Sequence, residues 1–275
     1  MDTSSLPIPP ALDFDLAVGL TDARGTLLTE GDAETVRPLA SVSKPIAALA
    51  ALVAVSRGLV DLDERAGPPG ATVRHLLAHT AGYAFEGGED AAVQAEPGAK
   101  RIYSNTGFDV LAAHVAEATA HPFDEWVEQA VVEPLGLRDL EVTGSAAKDY
   151  AGSLTDLLVL GRELLEPTLI PHPLWQDMTT VQFPGLAGIL PGYGRQKPND
   201  WGLGVEIRAD KSPHWTGASA SPGTFGHFGQ SGSFLWVDPD RGVAAAFLGA
   251  EPFGQKHKDG WPELGDTLLA RTDAA

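Results

Sequence analysis

Ser41 and Lys44 stand three residues apart at the mouth of an apolar run, Pro45-Ile46-Ala47-Ala48-Leu49-Ala50-Ala51-Leu52-Val53-Ala54-Val55. On a helix, that spacing puts the two side chains on one face. Pro45 fits so early because first-turn amides have no partner within the helix. The Ala/Leu/Val run offers no polar face, so the helix is expected to be buried. An ammonium at the start of a buried helix is costly unless it is paired or partly deprotonated. Such an amine can share or remove the proton of a serine, which is a weak nucleophile at its free pKa. The plainer reading is a helix start capped by Ser41 or Ser43, with Lys44 reaching solvent. The pattern is also loose: Ser145-Ala146-Ala147-Lys148 repeats it in a turn-like setting after Gly144, where it reads as coincidence.

Two further stretches carry polar groups in telling order. In Ile102-Tyr103-Ser104-Asn105-Thr106-Gly107, a Tyr and an Asn lie two residues apart just before a helical pattern. The other is Phe225-Gly226-His227-Phe228-Gly229-Gln230-Ser231-Gly232-Ser233. The order Ser-x-x-Lys, Tyr-x-Asn, His-x-Gly resembles that of the serine hydrolases related to class C β-lactamases, DD-peptidases and their esterase relatives. Leu76-Leu77-Ala78-His79-Thr80-Ala81-Gly82 and Glu133-Pro134-Leu135-Gly136-Leu137 are similar to two supporting stretches of that family. The resemblance runs from about Leu16 to Leu248.

The resemblance implies a cofactor-free and metal-free acyl-enzyme mechanism on a small ester, amide or lactam. Ser41 would be the nucleophile, with Lys44 beside it and Tyr103 facing both. Either could be the base. A phenol of pKa about 10 serves only if a neighbouring cation lowers it, and Lys44 is the available cation. Asn105 would hold substrate or orient Lys44. The backbone amides of Ser41 and of Gln230, on an edge strand, would form the oxyanion hole, typically worth on the order of 3 kcal/mol per donor. Gly229 would let the acyl group lie against the strand without a clash. His227 takes the place where lactamases and peptidases keep a Lys that grips a substrate carboxylate. A His there, followed by Phe228 rather than a hydroxyl residue, tilts the expectation toward an esterase. Without the resemblance, His227 reads as a hydrogen-bonded structural residue.

Competing readings rest on weaker patterns. His75 and His79 are four apart but lack the intervening Glu of a zinc hydrolase, so His79 is expected to be structural. Gly229-Gln230-Ser231-Gly232-Ser233 approaches a nucleophile elbow, which needs a strand before and a helix after; here a strand is expected after it. Of the tryptophans, Trp175, Trp201 and Trp215 are candidates to line a pocket, though core is the commoner fate. The Gly/Pro-rich segment Gln182 to Pro198 is either a pocket rim or a surface loop. A non-catalytic ligand-binding or sensor module of the same fold is the rival from another class. A genuine β-lactamase or DD-peptidase is the rival among enzymes.

The elements that must position these residues can be read in outline. Asp15 to Thr29 is expected to form a hairpin. Helices are expected from Ser41 to near Gly58, Val73 to His79, Gly107 to Ala120, Phe123 to Glu133 and Ser153 to Glu166. Ser153 and Asp156 would form a capping box in the last of these. Strands are expected at Gly202–Ile207, Phe234–Val237 and Gly242–Leu248, and a closing helix from Gly260-Trp261-Pro262. The fold class is therefore α/β (α+β): an antiparallel sheet built from both termini and flanked by helices, with a mostly helical inserted lobe. A single domain is expected, its sheet lobe at about 1–40 and 200–275 and its helical lobe at about 41–199.

Composition narrows the partners. The 275 residues carry 37 acidic against 19 basic side chains, a net charge of −18. Such a surface repels phosphate backbones and anionic lipid, so neither nucleic acid nor membrane is an expected partner. There is no cysteine, hence no disulfide or thiol chemistry. An acid at position 2 and no apolar core after it leave no secretory signal, so a cytoplasmic location is expected. Oligomeric state is not legible.

Overall fold

The computed structural model describes residues 6–87 and 92–272. Its main sheet has six antiparallel strands in the order β2-β1-β10-β9-β8-β7. These are β1 (Leu16–Asp22), β2 (Gly25–Glu30), β7 (Glu206–Ile207), β8 (Phe225–Gly229), β9 (Ser233–Asp238) and β10 (Val243–Gly249). Two-stranded pairs are formed by β3 (Arg37–Pro38) with β4 (Ala151–Gly152), and by β5 (Gly188–Leu190) with β6 (Gly194–Gln196). The strands from both ends of the chain meet where β1 pairs with β10 along seven residues, Leu16 opposite Gly249 through Asp22 opposite Val243.

Period-two alternation sorts the strand residues onto two faces. Val18, Leu20, Phe234, Trp236, Ala245 and Phe247 share one apolar cluster with Trp261, Leu264 and Leu268 of α8 (Gln255–Thr272). Ala17, Leu235, Val237, Ala244 and Ala246 belong to the other, with α1 (Ser43–Ser56) and α6 (Leu154–Leu165). Contact there is close: Gly19 faces Leu158 and Gly161 faces Ala244, and a Cβ on either glycine would crowd those atoms.

α1 is buried from Ser43 to Ala54, as its composition requires. It is entered through a 3-10 turn, Ala40–Val42, and has no side-chain cap, so the capped, solvent-reaching arrangement is not what the chain adopts. α3 (Asn105–Thr119) packs beside it and α2 (Val73–Leu77) packs on α3, and Ser104 caps α3 by accepting from the Gly107 amide at 3.0 Å. α7 (His172–Thr179) completes the helices on this side.

Several boundaries differ from expectation for identifiable reasons. The helix from Phe123 passes through Pro134: α4 (Phe123–Val127), a π turn (Glu128–Val132) and α5 (Glu133–Leu135) follow one another, and Pro134 lies in the first turn of α5. The strand at Gly202–Ile207 shrinks to two residues. Gly202 N–H donates to Val205 O, and Gly204, at φ +81°, presses on Ala48, leaving no room for a Cβ. α8 starts five residues before Gly260, with Pro262 inside it. β8 is a strand in its own right, flanked by β9 and β7.

Ser153 does cap α6, accepting from Asp156 N–H at 3.2 Å, but the Asp156 carboxylate turns away to the amides of Arg138 and Asp139, so the box is half formed. Ser153→Ala is expected to lower unfolding free energy by about 1 kcal/mol, read from chemical denaturation.

Candidate active site

The 3-10 turn that lifts Ser41 into the cleft is held from both sides. Leu39 N–H donates to Tyr150 O at 2.8 Å, and Ser233 Oγ donates to Leu39 O at 2.7 Å. Ala40 then adopts φ +47°, a left-handed conformation that costs an L-residue about 1–2 kcal/mol. Gly229 is needed here by the turn itself. A Cβ would lie 2.2 Å from Leu39 O and 2.5 Å from Ser233 Oγ, so the glycine admits the turn before Ser41.

Ser41 of the 3-10 turn, Lys44 of the first turn of α1, Tyr103 just before α3, Asn105 at its start and His227 of β8 come together. The Tyr103 hydroxyl donates to Ser41 Oγ at 2.8 Å, and Lys44 Nζ lies 3.5 Å from the same oxygen. Lys44 also donates to Asn105 Oδ1 at 2.6 Å and to Ala147 O at 2.9 Å. Full burial is the main force on this amine, bringing its pKa down to about 7; Asp109 and Glu86 pull it up and Lys148 pushes it down. Tyr103 moves the other way. Packed against His79, Trp201 and His227, its phenol is raised well above the ordinary value by burial. Lys44 sits over the ring, 4.6 Å from the centroid. The condition under which the phenol could serve as base, a pKa lowered by Lys44, is therefore not met in this arrangement, and of the two groups Lys44 is the one brought close to neutrality.

His227 is buried and neutral. Its Nδ1 donates to Phe228 O at 2.7 Å, leaving Nε2 as an acceptor 3.3 Å from the Tyr103 hydroxyl. Burial, then the Lys44 charge, holds its pKa at about 3. His79 supports the Tyr103 ring from behind at 4.6 Å and accepts from Ser104 N–H at 3.2 Å, a structural role as expected. Among the described residues, no group of three or more His, Asp or Glu side chains could hold a metal ion.

Gln230 lies just past β8 in the turn to β9, not on an edge strand, and its side chain and carbonyl are tied to Phe253. It lines the cleft together with Ala40 and Ser41. Ser231 sits in the same hairpin turn, with a strand on each side, which removes the context a nucleophile elbow needs. The cavity measures about 950 Å³, and Phe85, Ile102, Ile189, Leu190, Trp201 and Phe228 give it apolar walls. The 182–198 segment thus supplies a rim through β5. Trp201 lines the pocket. Trp215 is buried behind it, donating to Glu206, and Trp175 donates to Leu164 O.

Sequence reasoning missed three contributors. The 145–148 repeat is not idle: Ala147 O receives Lys44, Lys148 reaches the cleft, and Ser145 donates to Asp109 at 2.6 Å. Glu86 binds both Lys148 and Asn105. Buried Arg101 clasps the carbonyls of Ala78, Gln182 and Phe183, fixing the rim. A lone charge in a loop has no periodicity to reveal it; only the turn at 144–149 brings these groups together.

The Beta-lactamase family profile matches residues 13–268. A crystal structure of a beta-lactamase from Mycobacterium bovis is 48% identical, covers 97% of this chain and 96% of its own, and superposes with a TM-score of 0.92. The chain belongs to the beta-lactamase family, and membership supports a hydrolase. The fold is shared by EstCE1, described as a hydrolase with promiscuous acyltransferase activity, at a TM-score of 0.77 and 18% identity over 94% of each chain. A Salmonella schwarzengrund protein provisionally described as a D-alanyl-D-alanine carboxypeptidase is 28% identical over 203 residues. That match takes in 57% of this chain and 46% of the relative, so the chain spans less than half the length of that protein. No helix of the described residues is long and apolar enough to cross a membrane.

Proposed function

We propose that this chain is a serine hydrolase working through an acyl-enzyme on small esters, with amides and lactams as secondary substrates. The observation that carries the reading is Ser41 Oγ lying 2.8 Å from the Tyr103 hydroxyl and 3.5 Å from Lys44 Nζ at the floor of one cleft. Neutral Lys44 takes the Ser41 proton, directly or through Tyr103, as Ser41 Oγ attacks the carbonyl carbon. The oxyanion is received by the amides of Ser41 and Gln230. The same proton then goes to the departing alkoxide, and water later cleaves the acyl-enzyme by the reverse route.

Esters are favoured over carboxylate-bearing lactams and peptides by the charges present. Beside Tyr103, His227 stands neutral where a cation would be wanted; of the cations elsewhere in the lining, Lys148 is engaged by Glu86, Arg101 is turned onto carbonyls and Lys100 is exposed to solvent. The apolar walls suit an uncharged acyl group.

Fluorophosphonate labelling tests the reading. The intact protein is expected to take up one label at Ser41, located by peptide mass spectrometry, and Ser41→Ala none. Because the neutral amine is the active form, the labelling rate is expected to rise roughly tenfold per pH unit below about 7 and level off above it. Absence of label on the intact protein would overturn the assignment. A panel of p-nitrophenyl esters beside a chromogenic cephalosporin ranks the substrates.

A further inference from the structure

The Lys44 amine has a directional problem that its neighbours solve. A neutral amine has two N–H donors and one lone pair. Asn105 Oδ1 at 2.6 Å and Ala147 O at 2.9 Å are both acceptors and consume the two donors, so the lone pair is left for Ser41 Oγ at 3.5 Å. Ala147 O is backbone and cannot change character. The Asn105 side chain can: turned over, it would present Nδ2 to Lys44, and the lone pair would be spent on that N–H.

We propose that Glu86, held by Lys148, is the positioning residue that keeps the Asn105 amide turned with its oxygen toward Lys44. A carboxylate only accepts, so the end of Asn105 that meets Glu86 must be the nitrogen. Glu86 Oε1 takes Asn105 Nδ2 at 2.7 Å and Lys148 Nζ at 2.9 Å. The same oxygen serves both, so the Lys148 bond fixes the carboxylate over the first turn of α3. Glu86 and Lys148 are both roughly half exposed, and such a pair adds little to stability. Its effect is on direction, and it rests on Lys44 acting as the base for Ser41.

The pair also sets the charge around Lys44. The groups facing that amine are Asp109 on α3, Glu86, Lys148 in the 144–149 turn, His79 behind Tyr103, Tyr103 itself and His227 on β8. Asp109 and Glu86 favour the ammonium, and Lys148 opposes it. Neutral His79 and His227 carry no charge in the working range.

Three variants separate direction from charge, with fluorophosphonate labelling rate followed across pH and folding checked by thermal melting. Glu86→Leu removes the acceptor; its plateau rate is expected to fall on the order of 10²-fold, the penalty of a misdirected group. Glu86→Gln keeps an acceptor oxygen and loses the charge. Its plateau is expected to fall far less, and its acid limb to move to lower pH because an anion favouring the ammonium is gone. Lys148→Met removes a cation that opposes the ammonium, so its acid limb is expected to move to higher pH. Glu86→Leu with the plateau of the parent, whatever its acid limb, would overturn the proposal while leaving Ser41 chemistry intact. If the parent itself takes no label at Ser41, both readings fall together.

Discussion

Lys44→Met is expected to remain folded and to acylate more slowly by on the order of 10⁴-fold, the upper range for loss of a general base. Met matches the length of the buried Lys stem, so the apolar packing of α1 survives. The substitution leaves Asn105 Oδ1 and Ala147 O without their donor, at about 1–3 kcal/mol each, so a lower melting temperature is expected alongside the lost rate. Lys44→Arg is the informative companion. Guanidinium stays charged at any working pH, so it keeps a cation beside Tyr103 but offers no lone pair to Ser41. Both variants are expected to fail in acylation, measured by stopped-flow release of p-nitrophenol. Retention within tenfold by Lys44→Arg would transfer the role of base to Tyr103, whose phenol would then need the cation.

Gly229→Ala is expected to be costly for both stability and rate, although it adds one methyl group. The new Cβ would stand 2.2 Å from Leu39 O, a backbone atom already fastened by Ser233 Oγ on one side and, through the Leu39 amide, by Tyr150 on the other. Neither fastening can give without moving Ser41, two residues on. Overpacking of this kind costs about 1–3 kcal/mol. Displacement of the nucleophile by even 1 Å is expected to lower the acylation rate on the order of 10²-fold. Denaturant midpoints and burst kinetics on the same preparation measure the two effects. A variant with parental stability would mean the turn is looser than its hydrogen bonds imply.

Much of the site was legible because its polar groups come in short ordered stretches. Ser41 and Lys44 are on one helical face, and Tyr103 and Asn105 bracket a cap residue, Ser104. That one sheet draws its strands from both ends of the chain could be anticipated, and the buried helix from an unbroken Ala/Leu/Val run. What escaped were features that only tertiary proximity creates. Glu86 and Lys148 are single loop charges 62 positions apart. Gly204 falls within a strand-like pattern, but its positive φ and its seat on Ala48 are fixed by a neighbouring helix. Pro134 was read as a stop, whereas the preceding π turn carries the helix past it. The opposite directions in which Lys44 and Tyr103 are shifted come from burial, which a motif does not encode.

The pairing of the first strand with the last has a consequence for how the protein is made. On the ribosome, residues 16–22 emerge long before 243–249, and the middle of the sheet stays open until the latter are released. Contacts so distant along the chain close slowly because loop entropy must be met before any gain is collected. β8, which carries His227, lies two places from that seam and joins β1 through β9 and β10. Nascent chains halted short of residue 243 therefore carry β1 without the strand it pairs with on its inner side, and the six-stranded sheet stays in two parts.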